Sequence, residues 1–239
     1  MIEILLLMIE RAWARLVFRL FGRTFACPVC HLVLAAIDAD GNGLMVCPVC
    51  GAVLEIENVY GHIVPVVLDM ELHRPQPKAR LHPLATHLPI GLFPFALLGA
   101  AGLFLASVLP ILGVPAALAG LAHRAPVLAQ AVLVLLVLSV GFALATFASG
   151  WWDWTFRYRQ RPYWQVRLKI ACSGIFLGLG SLAIALHATG LVFVAGSGLM
   201  ALGSPLGLIS GVVYLGALSA AMVVLATLAQ VNLGIWAVQ

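Results

Sequence analysis

Four long apolar stretches dominate the chain, at about residues 86–109, 125–149, 169–189 and 206–229. A helix needs about 20 apolar residues, at 1.5 Å each, to cross a hydrocarbon core of roughly 30 Å. All four stretches meet that length, and Ile170 to Gln239 contains no Asp, Glu, Lys or Arg. The pattern before them is different. Leu32–Ile37, Leu44–Val46, Ala52–Ile56 and Val59–Leu68 are short apolar runs that read as strands, with Asp38-Ala-Asp-Gly-Asn-Gly43 as a hairpin tip. Further upstream, Arg11, Arg15, Arg19 and Arg23 fall on one helical stripe. Ile2, Leu5, Ile9, Trp13, Leu16 and Leu20 gather on another. That is an amphipathic helix suited to the membrane interface, its arginines toward anionic lipid headgroups.

The expected fold is therefore mainly α: a polytopic membrane four-helix bundle with a small β-rich module and an N-terminal interfacial amphipathic helix. The boundaries read from the sequence are 1–23 for the interfacial helix, 24–68 for the β-rich module, 69–81 for a polar linker and 82–239 for the four-span bundle. His73-Arg-Pro-Gln-Pro-Lys-Ala-Arg80 lacks apolar periodicity and is expected to be extended. Pro89 and Pro94 predict a bend in the first span. The spacings Gly174-x-x-x-Gly178 and Gly203-x-x-x-Gly207-x-x-x-Gly211 predict close helix approach.

Composition agrees with this division. Charged residues make up 9% of the chain and hydrophobic ones 63%, with a mean hydropathy of +1.08; a soluble domain has roughly a quarter charged. The net charge of +4 is not a nucleic-acid footprint, because its placement follows the membrane. Twelve of the thirteen Lys and Arg residues fall on the side that carries the module, the second-to-third connection and both termini, and only Arg124 falls opposite. The positive-inside bias puts that side in the cytoplasm. Glu3 and Glu10 interrupt the first apolar run, and arginines follow it, so the N-terminus does not read as a signal peptide.

The chemistry sits in a repeated tetrapeptide. Cys27-Pro-Val-Cys30 and Cys47-Pro-Val-Cys50 are separated by sixteen residues. Two C-x-x-C turns bring four thiolates to one point, where tetrahedral zinc binds sulfur at about 2.3 Å. In a reducing compartment such cysteines are metal ligands and not disulfides. Gly51 follows the second pair and allows the backbone conformation a knuckle needs, whereas His31 stands in that place after the first. The module looks like a zinc ribbon with Cys27, Cys30, Cys47 and Cys50 as ligands. Iron in a rubredoxin-like site is the alternative, since four thiolates suit either metal. Asp38-x-Asp40-x-Asn42-Gly43 also mimics the start of a calcium loop, but Val49 stands where the bidentate Glu belongs. Cys172, inside the third span, reads as a packing residue.

Histidines are the second candidate set. His82 and His87 head the first span, five residues apart and so about 140° around the helix. His123 and His187 fall near the opposite end of the bundle. Any of the four is a candidate axial ligand for a b-type haem, against the plainer reading of interfacial histidines bonded to backbone or water. Asp153 follows Trp151 and Trp152 at the end of span two, with Arg157 one turn on. It reads as an ion-pair partner or as a proton or quinone site, and the indoles read as an aromatic belt.

Taken together, His82-Pro83-x-x-x-His87-x-Pro89, Gly150-x-x-Asp153-Trp154 and Arg157-Tyr158 resemble the signature of the bacterial domain-of-unknown-function family 2231. The resemblance covers roughly residues 80–235 and implies a four-helix membrane fold, in which some members are suspected of holding haem through histidines. This chain departs from relatives with a further histidine in the later helices. Its third span opens Val166-Arg-Leu-Lys-Ile170 and its fourth closes Ala229-Gln-Val-Asn-Leu-Gly234. A bis-histidine haem site does not carry over whole, and the resemblance implies a fold and not a reaction.

Neither a nucleophile nor a paired acid–base set stands out, so an enzyme is disfavoured. The expected function is an accessory or anchoring subunit of a larger membrane complex of the redox or energy-converting kind. Its partners would be other integral membrane subunits and a cytoplasmic protein docked by the ribbon. The alternative is electron transfer through ribbon iron or haem. A third reading is a quinone or proton site at His82, His87 and Asp153.

Overall fold

The computed structural model describes residues 23–60, 62–71, 81–109, 119–156, 160–161 and 163–236, with the side chains of 81–85, 119–122 and 232–236 left aside. The interfacial helix expected before Arg23 lies outside these residues, as does most of the linker expected over 69–81, but Asp69 and Met70 belong to the last strand and Leu81 opens the first helix of the bundle. The chain divides into two compact units. One comprises Met1–Pro77, Trp154–Lys169 and Gln230–Gln239, and the other Lys78–Asp153 and Ile170–Ala229.

In the first unit five strands form two antiparallel sheets. β1 (Thr24–Ala26) pairs with β2 (Val33–Ala35), and β3 (Leu44–Val46), β4 (Ala52–Val59) and β5 (His62–Met70) follow in order in the second sheet. Each cysteine pair sits at the turn of a hairpin. The two hairpins share a register: Thr24, Phe25 and Ala26 pair with Ala35, Leu34 and Val33, as Leu44, Met45 and Val46 pair with Glu55, Leu54 and Val53. Residue for residue, the second hairpin is the first moved along the chain by twenty positions. Burial repeats with it. Phe25, Cys27, Leu32 and Leu34 are buried in one half, Met45, Cys47, Ala52 and Leu54 in the other, and together they are the module's core. Alternation of sheet faces puts these residues inside.

The strands expected at Leu44–Val46 and Ala52–Ile56 are present, the latter extended to Val59. Leu32–Ile37 gives a shorter strand that turns into a 3-10 helix, Ala36–Asp38. The segment beyond it is a turn, as its composition suggests, but it is not the expected hairpin tip: it links two sheets, since β2 pairs only with β1 and β3 only with β4. Asp40 Oδ1 accepts the Asn42 and Leu44 amides, both at 2.9 Å, and Gly43 takes φ 76°. The strand expected to start at Val59 starts later. Val59 instead ends β4 and pairs with His62, so the chain reverses over two residues, with Tyr60 at φ 50° and 99% exposed.

Most of four helices makes up the second unit: α1 (Leu81–Val108), α2 (Ala119–Phe156), α3 (Trp164–Ala188) and α4 (Pro205–Trp236), of which the end of α2, the start of α3 and the end of α4 belong to the first. All four contain segments long and apolar enough to span a membrane: Thr86–Val108, His123–Phe156, Trp164–Ala188 and Pro205–Val231. Buried residues recur three or four apart, as helical packing requires: Phe93, Ala96, Ala100 and Leu103 on α1, Ala125, Ala129, Val132 and Leu136 on α2, and Tyr214, Leu218, Ala221 and Leu225 on α4. Phe176 and Ala183 bring α3 into the same core, with the Phe176 ring edge-on to Phe93 at 5.0 Å. At most 39% of any spanning window is buried within the chain. Most of each window's surface is therefore uncovered in the isolated chain.

The glycines that bring helices together are not those the spacing singled out. A Cβ on Gly99 would stand 2.6 Å from Val132, and one on Gly180 would stand 2.6 Å from Val140. Gly174, Gly178 and Gly203 face open space within the chain, and Gly207 lies against the Ala201 carbonyl of the preceding loop. Spacing alone does not reveal which face of a helix points inward. α1 runs continuously through Pro89 and Pro94.

The loop between α3 and α4 closes one end of the bundle. Phe193 and Met200 bridge across it, and Val192, Phe193 and Met200 enter the core. Its Met200 amide donates to Ser107 Oγ at 2.8 Å, and Ser107 donates in turn to the Leu103 carbonyl at 2.7 Å. Gly198, at φ 67°, lies so close to the Ala125 carbonyl that no side chain fits. These contacts place the end of α1, the start of α2 and the α3–α4 loop at the same end.

Candidate metal centre

The two knuckles are built alike. Cys27 N donates to the Leu32 carbonyl and His31 N to the Cys27 carbonyl, at 2.9 and 2.8 Å. Cys47 and Gly51 repeat this against Ala52 and Cys47, at 2.8 and 3.1 Å. His31 and Gly51 both have positive φ, 59° and 82°. The sequence difference at this position is thus a conformational one: glycine adopts the left-handed region freely, and histidine is held there by the turn.

The turns bring all four sulfurs within 4.8 Å of one another, with Cys27 and Cys47 buried and Cys30 and Cys50 half-buried. Cys27 Sγ lies 3.7 Å from Cys50 Sγ, and Cys30 Sγ lies 3.5 Å from Cys47 Sγ. A tetrahedron of sulfurs about 2.3 Å from a central ion has edges of about 3.8 Å. The residues present therefore fit a tetrahedral metal. Among the described residues, no other group of three or more His, Cys, Asp or Glu could hold an ion.

Electrostatics point the same way. Burial pushes Cys30 up to about 11 and Cys47 higher still, although amide hydrogen bonds from the knuckles oppose it. Cys27 is also raised by burial, but hydrogen bonds from the Cys30 and Val29 amides and from the Cys50 and Cys30 thiols together outweigh it, and its net shift is downward. Four thiolates confined this closely repel one another, and a divalent cation at their centre relieves the repulsion.

The module does not stand alone within its unit. Arg161 and the residues from Tyr163 to Leu168 dock on it, and the sequence did not lead us to expect this. Tyr163 donates its hydroxyl to the Val46 carbonyl at 2.6 Å, and Gln165 Nε2 donates to the Val33 carbonyl at 2.7 Å. Asp38 Oδ2 accepts the Trp164 amide at 2.8 Å, while its Oδ1 accepts from Arg167 at 2.6 Å. Arg161 pairs with Glu71 at 3.0 Å. Trp164 packs on Ala35, with Leu168 beside it. Tyr163, Trp164 and Gln165 are all buried. The Asp38 side chain is fully sheltered, and burial raises its pKa even though the Trp164 amide and Arg167 pull it back.

A charge pattern in the sequence could have signalled this docking. Between Thr24 and Glu71 there are six acidic residues and no Lys or Arg, whereas Trp154–Lys169 holds five bases and no acid. From the sequence Asp38 is part of a turn and of an incomplete calcium-loop mimic. Its second role needed the fold.

Compared with family models, with curated proteins and with solved structures, the chain finds no match.

His87 and His187 are not brought together. His87 and His123 are exposed, and the His82 side chain lies outside the described residues. His187 Nδ1 lies 3.1 Å from the Tyr214 hydroxyl, and its ring stacks at 4.4 Å on Phe193. His187 also contacts the Ala129 backbone. Ser107 belongs to the same bundle end as His187. His87 is twenty residues earlier on α1, about 30 Å along the helix, so His87 and His187 do not share a site. Asp153 is half-buried in the last turn of α2, and Arg157, its expected partner, lies outside the described residues. Trp151 and Trp152 are exposed as a belt requires, but Trp154 turns its Nε1 to the Arg161 carbonyl at 2.9 Å.

Proposed function

We propose that this chain is an accessory, anchoring subunit of a larger membrane assembly, with structural zinc in its ribbon and a partner protein docked on the β4–β5 hairpin. The observation that carries the reading is the pairing of a closed metal site with a displayed hairpin. Four thiolates fill a tetrahedron, and such a site stabilises a fold without offering a position to substrate. The hairpin exposes Val59, Tyr60, Val64, Val66 and Leu68. On the same face Glu55 stands opposite Val66 and Glu57 opposite Val64. Apolar surface rimmed by charge marks protein contact sites.

The weakly buried spans support a bundle that packs against other integral subunits, and the positive-inside bias supports a cytoplasmic ribbon. The motif resemblance to family 2231 supports a membrane four-helix unit without an attached reaction. His187, engaged by Tyr214 and Phe193, supports a packing role for that histidine.

Purification from native membrane in mild detergent tests the reading. A partner retained by the unaltered chain should be lost from Tyr60→Ala/Val66→Glu, with the metal content unchanged. Recovery of the bare chain from both would end the docking reading. Absorbance of the same sample tests the ion. A featureless visible spectrum with one zinc per chain is expected. A thiolate-to-iron band would put iron in the site and electron transfer in place of anchoring, and a Soret band would establish haem.

A further inference from the structure

We infer that the ribbon has a second function, as a metal-dependent clamp on the start of the third membrane helix. The first turn of α3 needs acceptors for its free amides, and the acceptor comes from the ribbon: Asp38 takes the Trp164 amide and also holds Arg167 one turn on. A carboxylate at a helix N-terminus is favoured by the helix dipole as well as by the hydrogen bond. Tyr163 and Gln165 complete the attachment on main-chain carbonyls.

Those carbonyls are fixed by the metal knuckles. Val46 immediately precedes Cys47, and Val33 follows the Cys27–Leu32 turn. Asp38 ends the short helix that continues from β2. The module's buried core contains eight residues, and two of them are the ligands Cys27 and Cys47. So small a core does not hold a fold by itself, and binding energy from a metal becomes folding energy. Without the ion the acceptors for Tyr163, Trp164 and Gln165 lose their common geometry. The clamp then opens, and three buried side chains at the head of a spanning helix become exposed. The inference rests on metal binding by the four cysteines and not on the partner.

Hydrogen–deuterium exchange on the full chain in detergent, zinc-loaded and after chelation, tests it. Metal content is measured on each sample. With zinc bound, amides 164–168 should exchange at least tenfold more slowly than after chelation, while those of 214–225 on α4 do not change. Asp38→Ala separates the clamp from the ribbon fold: one zinc per chain should remain, while protection of 164–168 falls to the chelated level. If chelation removes the zinc and 164–168 stay protected, the clamp is wrong. The same follows if Asp38→Ala leaves their protection intact. A chain that takes up no zinc at all would instead refute the metal assignment beneath it.

Discussion

Asp38 and Trp164 are 126 residues apart in the chain, yet the Asp38 carboxylate accepts the Trp164 amide at 2.8 Å. One oxygen serves the helix and the other serves Arg167. The ribbon thereby supplies the start of this helix with a capping carboxylate from a distant part of the chain, since Tyr163, which precedes the helix, lacks the short side-chain acceptor of Ser, Thr, Asp or Asn.

Loss of one ligand from each knuckle separates folding of the ribbon from folding of the bundle. Cys27→Ser/Cys47→Ser should reduce bound zinc from one ion per chain to below about a tenth, in line with the large share of folding energy such ions supply. The strand signal should vanish from the circular dichroism spectrum while the helical signal persists. Retention of zinc by the double variant would refute the four-thiolate site.

Zinc affinity should rise with pH. Burial holds Cys30 at about 11 and Cys47 higher, so at neutral pH these thiols carry protons that an entering cation must displace. Raising pH removes that competition, whereas acid restores it and releases the ion. In the zinc-loaded ribbon the cysteines stay deprotonated well below the usual thiol value of about 8.5, so the unfolded chain binds more protons and stability increases with pH. Competition against a chromophoric chelator between pH 6 and 8 should show about 10- to 100-fold tighter binding per unit. A flat profile would mean that no thiol loses a proton on binding.

His31→Gly should stabilise the ribbon. The left-handed conformation costs a residue with a Cβ about 1 kcal/mol, and glycine is spared that cost. The increased flexibility of the unfolded chain takes back part of the gain. Chelator-induced unfolding should shift modestly toward higher chelator in the variant, while Gly51→His should shift it the other way. Equal behaviour of the two substitutions would contradict the equivalence of the knuckles.

Helix approach in the bundle should depend on Gly99 and Gly180 and be indifferent to Gly174 and Gly178. Gly99→Leu and Gly180→Leu force a side chain into Val132 or Val140, at a cost of about 1–3 kcal/mol. Gly174→Leu and Gly178→Leu enter open space and should leave the thermal midpoint in detergent within error. The opposite ranking would return the helix contact to the spacing expected from sequence.

Strong periodicity made much of this architecture legible. Four long apolar stretches gave four helices long enough to span a membrane, and a twice-written CPVC brought four sulfurs together. The turn at Asp40–Gly43 was legible because Asp, Asn and Gly act through local backbone geometry, but its place between two sheets, and not at the tip of a hairpin, was not. Long-range pairings were not legible. Nothing local to Asp38 announces Trp164 and Arg167, and nothing local to Ser107 announces the Met200 amide. Tyr60 hid the β4–β5 turn because an aromatic at positive φ looks like a strand residue. The glycine faces failed for a related reason: a four-residue spacing defines a stripe but not what stands against it.

The twenty-residue shift relating the two hairpins has a physical consequence. Each half contributes two sulfurs and four of the eight buried core residues, so neither half holds a complete coordination shell or a complete core. The ribbon is in effect a dimer of like halves tied into one chain, with the four-sulfur site at the interface where they meet. A metal-bound ribbon should therefore fold all-or-none: both halves close around an ion together or neither does.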